Sequence, residues 1–292
     1  MEHQLTRAFR FLLAFAVFFA FAPVSDAGWP SSGRVYPPSG GGACSQATTF
    51  LARTSGLSGT QTSAYTALIC GMVTDGTWSV MDGLYVFATN STATANLNLV
   101  STSYGLTQNG TVTFAANNGY TGDGLSGYFT TGFTPSTAGG NMSTNSASIG
   151  GCVLTSRTTV VSNMALIGGV NAHASYIVPY GTTVHTEYDI NDNDNLTAVS
   201  NAQGSWIASL TSSSQGYYAH NGSSTSFAAS SNALADAGLY ISALDVTGSP
   251  LYFSADQIAY AFYGGGLTTT QITAVYNRLL TYLSTVGAAS GC

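Results

Sequence analysis

AFYGGGLTTTQITAVYNRLLTYLSTVG, residues 261–287, splits into a short aromatic run, a glycine turn and a helix. Within it, Thr268 reads as an N-cap, with Gln271 three residues on to close a capping box and Leu267 set against Ile272 as a hydrophobic staple. Ile272, Val275, Tyr276, Leu279 and Leu283 then recur at helical spacing. The spacing predicts a C-terminal helix over 268–286 with one apolar side, which must bury that side against the rest of the chain.

Upstream lies the surface it would dock on. From Leu84 to Gly264 the chain is a series of short runs rich in Val, Ile, Tyr, Phe and Thr, separated by Gly, Asn and Ser clusters. Leu84 to Phe87, Tyr128 to Phe133, Ser205 to Leu210 and Gly238 to Val246 are examples. Many short strands at such spacing predict a sandwich or barrel. No helix-length pattern alternates with them, which argues against an α/β fold. Residues 44–74 read differently, as two short helices on either side of a turn near Gly56-Leu57-Ser58-Gly59. The second carries Tyr65, Leu68, Ile69 and Met72 on one face, and Ser58 with Gln61 makes a capping box at its start. The reading is thus mainly β: a helical hairpin over 44–74, then a β-sandwich over 75–292 that includes the terminal helix.

The N-terminus has the layout of a secretory signal peptide over 1–27. Arg7 and Arg10 precede an apolar run from Phe11 to Ala22, and Ser25-Asp26-Ala27 supplies small residues at the cut. The run falls short of the roughly 20 residues a spanning helix needs. Residues 28–43, GWPSSGRVYPPSGGGA, read as a flexible linker. The expectation is an exported chain of about 265 residues, enough for one good core, with no membrane span after cleavage.

Only 6% of residues are charged and lysine is absent. Beyond the leader the arginines are Arg34, Arg53, Arg157 and Arg278, so there is no basic footprint for nucleic acid. The polar surface must be Ser, Thr, Asn and Gly, which suits polysaccharide-rich surroundings. The four cysteines allow three pairings. Cys44 and Cys70 lie almost equally far from the turn of the helical hairpin and should come level, given equal rise per residue. That favours Cys44–Cys70 and leaves Cys152 with Cys292, unless Cys292 is free or intermolecular. Export permits such bonds, and no spacing resembles a zinc site.

Two segments carry a family resemblance: GYTGDGLSGYFTTGF (119–133), a glycine turn with an aspartate before an aromatic strand, and the 261–287 strand, turn and helix. Together they resemble the laminin G-like, or concanavalin A-like, jelly-roll superfamily. Residues 46–287 are similar to uncharacterised bacterial and prophage proteins of this fold, often encoded near tail genes. In those a helical hairpin precedes a Trp-containing turn and an aromatic strand, here Trp78-Ser79-Val80-Met81-Asp82-Gly83-Leu84-Tyr85-Val86-Phe87. The resemblance implies a jelly-roll sandwich. It also implies a role in binding or hydrolysing glycans, or in a tail-like or cell-surface particle, with calcium at the rim in some members. These are scaffold motifs, so they speak to fold more than to function.

HTEYDINDNDN (185–195) is where chemistry would sit. It holds Glu187, the one glutamate beyond the leader. The β-glucanase-type hydrolases of the superfamily carry Glu-x-Asp-x-Glu, or a bulged Glu-x-Asp-x-x-Glu. By that resemblance Glu187 would be the nucleophile, Asp189 the tuning residue and Asp192 the acid/base. Asn191 occupies the unbulged acid position, and Asp192 is one methylene short. Alternatively Asp189, Asn191 and Asn193 resemble the first half of a calcium loop, which needs six to eight oxygens. The loop glycine and the closing glutamate are missing. The plainer reading is a hairpin: a strand over Thr183 to Ile190, a turn over Asn191 to Asn195, and a return strand from Leu196.

In QGYYAHNGSS, Tyr217, Tyr218, His220 and Asn221 combine aromatic faces with an amide, as sugar stacking requires, and Trp206 would add a platform. The plainer reading there is a strand with Tyr218 inward and an Asn221-Gly222 turn. Asp123 lies between glycines in a tight turn. His173, His185 and His220 are the histidines available as bases beyond the leader. No Gly-x-Ser-x-Gly, His-Glu-x-x-His or phosphate loop is present. The sequence favours glycan recognition or surface structure over catalysis, with no required cofactor, calcium as the one candidate ion, and a glycan as the expected partner.

Overall fold

The computed structural model describes residues 42–159, 163–181, 185–230 and 232–292. The expected signal peptide and nearly all of the expected linker lie outside the described residues, as do Thr183 and Val184 at the start of the strand read before Ile190. Residues Gly42–Cys292 form one unit.

The chain begins with helices α1 (Ser45–Leu51) and α2 (Gly59–Thr74) and a 3-10 turn over Trp78–Val80. Next come β1 (Met81–Val86), α3 (Thr92–Ala95), β2 (Thr107–Asn109), β3 (Val112–Ala115), β4 (Gly119–Gly122), β5 (Tyr128–Thr130) and α4 (Pro135–Ala138). The middle holds β6 (Ala147–Val153), β7 (Ile167–Val170), β8 (Ala174–Val178), β9 (His185–Ile190), β10 (Asn193–Ala198), β11 (Gly204–Ser212), β12 (Gln215–His220) and β13 (Ser223–Ala228). It closes with β14 (Tyr240–Ile241), β15 (Leu244–Val246), β16 (Ser249–Leu251), β17 (Gln257–Gly264) and α5 (Thr269–Val286).

These strands make two sheets. The first has eight strands in the order β13-β12-β11-β6-β17-β4-β3, with β1 also pairing β17. The second has nine, in the order β10-β9-β8-β7-β14-β5-β2, with β15 and β16 beside β7. Pairing is antiparallel except where β15 runs parallel to β7. The fold is mainly β, a two-sheet sandwich with helices before and after it, as the strand spacing predicted.

The central strands of the first sheet, β1, β6, β11 and β17, are buried on both faces, which makes three layers there. Tyr85, Ile149, Trp206, Ala208, Ala261 and Tyr263 meet Phe129, Ile167, Ile177, Tyr188 and Ile241 of the second sheet between the layers. Alternate residues Leu84, Val86, Ile207, Tyr260 and Phe262 turn the other way, onto α2 and α5. This is why β6 and β17 read as continuous apolar or small-residue runs rather than alternating ones. A fully buried large side chain contributes about 1.5–3 kcal/mol. The predicted stripes do the covering: Tyr65, Leu68, Ile69 and Met72 from α2, and Ile272, Val275, Leu279 and Leu283 from α5, while Tyr276, read on the same stripe, stays outside this core and donates its hydroxyl to Cys292 O at 2.9 Å. The Tyr65 and Tyr282 rings meet at 4.8 Å, and Arg278 bonds the Asp75 carboxylate at 2.8 and 3.2 Å.

The helix starts are built as read. Ser58 and Gln61 form a capping box on α2, and Thr268 and Gln271 another on α5, which ends at left-handed Gly287. Disulfides join Cys44 to Cys70 and Cys152 to Cys292, with Cα separations of 5.6 and 6.0 Å. Cys292 is therefore neither free nor intermolecular. Among the described residues no helix is long and apolar enough to cross a membrane.

Three runs differ from their reading. The Tyr128–Phe133 strand stops at Thr130, where Thr131 turns its hydroxyl to Leu239 O at 2.7 Å and Gly132 takes φ 69°. Gly238–Val246 is two strands, broken where Ser242 adopts φ 68°. The turn read over Asn191–Asn195 is only Asn191 and Asp192, so Asn193 and Asn195 already belong to β10.

Candidate functional site

The β9–β10 hairpin organises the candidate residues. Asn191 and Asp192 have φ of 50° and 68°, the left-handed pair of a type I′ turn, which Asn and Asp tolerate. Such a two-residue turn sets the register strictly, so every side chain on β9 has a defined face. Tyr188 and Ile190 enter the inter-sheet core. Glu187 and Asp189, out of phase by one residue, share the opposite face of the second sheet.

On that face Asp189 stands between Tyr176 on β8 and Asp194 on β10, and Glu187 between Val178 and Leu196. Both carboxylates are buried, Glu187 at 6% exposure and Asp189 at 4%. Gly181 closes over Glu187: a Cβ there would sit 2.6 Å from Glu187 Oε1 and 3.0 Å from Asn163 Oδ1. Burial, with Asp194 as a lesser neighbour, pushes the Glu187 carboxyl up to about 7. Glu187 also raises Tyr252, itself lifted mainly by burial.

Asp192 does not join them. Its carboxylate lies at the turn, 2.6 Å from His173 Nδ1 and accepting from Ala174 N at 3.0 Å. His173 N donates in turn to Asp236 at 2.9 Å. A retaining glycosidase holds two carboxyls about 5–5.5 Å apart with the scissile bond between them. Here Glu187 and Asp189 lie side by side along one strand, enclosed, with the third acid held elsewhere.

The oxygens offered for calcium do not converge either. Asn191 donates to Ser143 O and Thr144 O, both at 3.1 Å, and accepts from Ser175 Oγ at 3.3 Å. Asn193 donates to Ile190 O at 2.9 Å and accepts from Ser230 N at 2.6 Å. These amides brace the hairpin, and Asn193 faces away from Asp189. Among the described residues no group of three or more His, Cys, Asp or Glu side chains is arranged to hold a metal. Asp123 is likewise a loop brace: its carboxylate accepts from the backbone N–H of Leu125, Ser126 and Gly127 and from Ser126 Oγ. Those bonds hold it well below the usual carboxylate range.

The aromatic candidates divide between faces. Trp206 is not a surface platform, being 0% exposed and donating from Nε1 to Ala202 O at 2.8 Å. His220 stacks on it at 3.8 Å, and burial lowers the His220 pKa. Tyr217 faces the helical layer. Asn221 forms a two-residue turn with Gly222 and accepts from Ser205 N at 2.9 Å. His185 is half-buried at the start of β9.

Tyr218 is different. It stacks between Tyr188 at 5.4 Å, interplanar angle 23°, and Phe227 at 6.3 Å, interplanar angle 10°. The three rings form a ladder from the core to the edge where β10 and β13 end their sheets. Tyr188 is buried, while Tyr218 and Phe227 are half-buried. Asn195 lies across from Tyr188 in the β9–β10 register and Thr197 across from Thr186. The Thr197 hydroxyl is buried with no hydrogen-bond partner. Phe227, Asn195 and Thr197 escaped the sequence reading. The one signal was a single aromatic in the otherwise polar strand SSTSFA.

No family model and no curated protein matches the chain. Solved structures resemble it in fold. Domain 4 of AbnA, a GH43 extracellular arabinanase from Geobacillus stearothermophilus, in complex with arabinotriose, is similar at TM-score 0.50 and 15% identity, over 67% of this chain and 98% of that one. A mutant Trypanosoma rangeli sialidase displaying trans-sialidase activity gives TM-score 0.44 and 9% identity, over 74% of this chain and 39% of the sialidase. The receptor binding domain of botulinum neurotoxin D gives 0.45 and 10%, over 68% and 52%. The first supports the sandwich architecture.

Proposed function

We propose that this chain is an exported, non-catalytic glycan-recognition protein that binds sugar rings at the β10–β13 edge. The observation that carries this reading is the Tyr188–Tyr218–Phe227 ladder, near-parallel rings reaching a half-exposed edge, with Asn195 across from Tyr188. Sugar rings take an apolar face on aromatic planes and satisfy their hydroxyls on nearby amide and hydroxyl groups. Two disulfides and the signal-peptide pattern support export. That a similar sandwich was solved with arabinotriose agrees with a saccharide ligand.

A glycan array run with calcium and with a chelator tests this. The expectation is retention of at least one neutral oligosaccharide, with or without calcium. Phe227→Ala should weaken it about fivefold to tenfold, the loss of one aromatic contact of about 1 kcal/mol. An array without hits, or Phe227→Ala binding like the parent, refutes the edge site. Ordered multimers without glycan binding would instead favour a surface-structural component. A second reading is glycoside hydrolysis through Glu187 and Asp189, which share one face of β9, with burial raising the Glu187 carboxyl. Turnover of any array hit that Glu187→Gln abolishes would establish it.

A further inference from the structure

The geometry points to a second binding site, for a hydroxylated carboxylate such as a uronic acid residue, in a pocket between α1 and the chain that follows α3. The pocket is a half-open hollow of about 160 Å³ lined by Ser45, Gln46, Thr49, Arg53, Trp78 and Ser101, among others. That is room for a ligand about the size of one sugar ring.

Arg53 decides the charge of the ligand. Among the described residues Arg157 meets the Asp256 carboxylate at 2.9 Å and Arg278 meets Asp75 at 2.8 Å. Arg53 instead donates to three backbone carbonyls: Ser101 O at 2.7 Å, Asn98 O at 2.7 Å and Leu99 O at 3.1 Å. Carbonyl dipoles satisfy hydrogens but leave the full positive charge in place. Guanidinium carries five N–H donors: two of these bonds come from Nη2 and one from Nη1, which leaves one Nη1–H for a ligand, since the Nε–H is buried without an acceptor and Cζ lies 5.3 Å over the Phe50 ring. No acidic residue lines the pocket. A half-buried cation without a counter-ion is costly, and an anionic ligand offsets that cost through charge-assisted bonds.

The remaining lining sets the rest of the ligand. Ser45 and Thr49 donate their hydroxyl protons to Gln46 Oε1 and Ser45 O and so present acceptor oxygens, while the Gln46 amide supplies N–H donors, a set that suits a ligand rich in hydroxyl groups. Half-buried Trp78 supplies an indole surface. A carboxylate, several hydroxyls and an apolar ring face are the features of a hexuronic acid. The hydroxylated part of this assignment rests on the glycan reading above, whereas the carboxylate stands on Arg53 alone.

Isothermal calorimetry on the full chain tests the pocket, with trigalacturonate as the acidic probe and a neutral galactotriose beside it. Gln46→Glu places a carboxylate in the pocket without removing the carbonyl bonds of Arg53. The expected result is trigalacturonate binding that Gln46→Glu weakens about tenfold, the value of one charge-assisted contact. Raised salt should weaken it too, and Phe227→Ala should leave it unchanged. The inference is overturned if trigalacturonate gives no heat at millimolar concentration, if Gln46→Glu binds it like the parent, or if Phe227→Ala abolishes its binding. Neutral glycans bound through Phe227 without any trigalacturonate binding would sink the pocket and leave the edge reading standing. Absence of both would sink the two together.

Discussion

Glu187 shows most plainly what a single residue's surroundings do. As sequence, its position two before Asp189 suggests a catalytic pair. In the fold the same spacing places both carboxylates on one enclosed face, and burial lifts Glu187 from 4.5 to about 7. A carboxyl raised in the folded state binds its proton more tightly there than in the unfolded chain. Its contribution to stability is therefore fully present below about pH 4.5 and is lost as pH rises through about 7. Glu187→Gln should abolish this slope and stabilise the protein at pH 8 by on the order of 3 kcal/mol. Urea unfolding at pH 4.5, 6 and 8 reads it, and parallel pH profiles for parent and variant would contradict the assignment. Tyr218 was legible because an aromatic in an alternating strand has two faces to choose between. Trp206 misled because sequence gives its size and ring, not the 0% exposure that makes it core.

Helix ends and tight turns are the elements best read in advance, because their chemistry is local. Ser58 with Gln61 and Thr268 with Gln271 satisfy backbone N–H groups three residues away, within reach of any short motif. Thr268→Ala should cost about 1 kcal/mol, visible as a lower urea midpoint. Thr268→Ser should retain most of that stability, and an unchanged midpoint in Thr268→Ala would mean the cap contributes nothing. Strand ends were read less well. Composition alone carries Gly238–Val246 through as one run, but Ser242 donates its N–H to Leu166 O and its carbonyl accepts from Ser254 N. Both partners are distant in sequence, so the break between β14 and β15 has no local signal. Composition spreads the β9–β10 turn over Asn191–Asn195, because Asn and Asp suit turns, whereas the fold uses only Asn191 and Asp192 and pairs the rest in β10.

At the scale of the molecule, the helical prefix and the terminal helix form one layer over the first sheet; Cys44–Cys70 braces the prefix, and Cys152–Cys292 ties the chain after the terminal helix to the sheet. Cys152–Cys292 closes a loop of 140 residues and anchors the C-terminus to β6. Cys292→Ser should lower stability by about 5 kcal/mol, as expected for so long a loop. Equal urea midpoints for the variant and the oxidised parent would show that the bond does not stabilise the fold. The sequence by itself determined the mainly β class, the two capped helices with their apolar stripes and the Cys44–Cys70 pairing, while the state of Cys292 came from the fold. The former follow from spacing along the chain. Only the tertiary structure decided which side chains remain available for binding. It buried Trp206, Glu187 and Asp189, turned Asp192 toward His173, aligned Tyr218 with Phe227 and set Arg53 in a pocket that no acid lines. Those outcomes depend on contacts between strands and loops far apart in sequence, where exposure and the pairing of charge are properties of the packed layers, not of any local pattern.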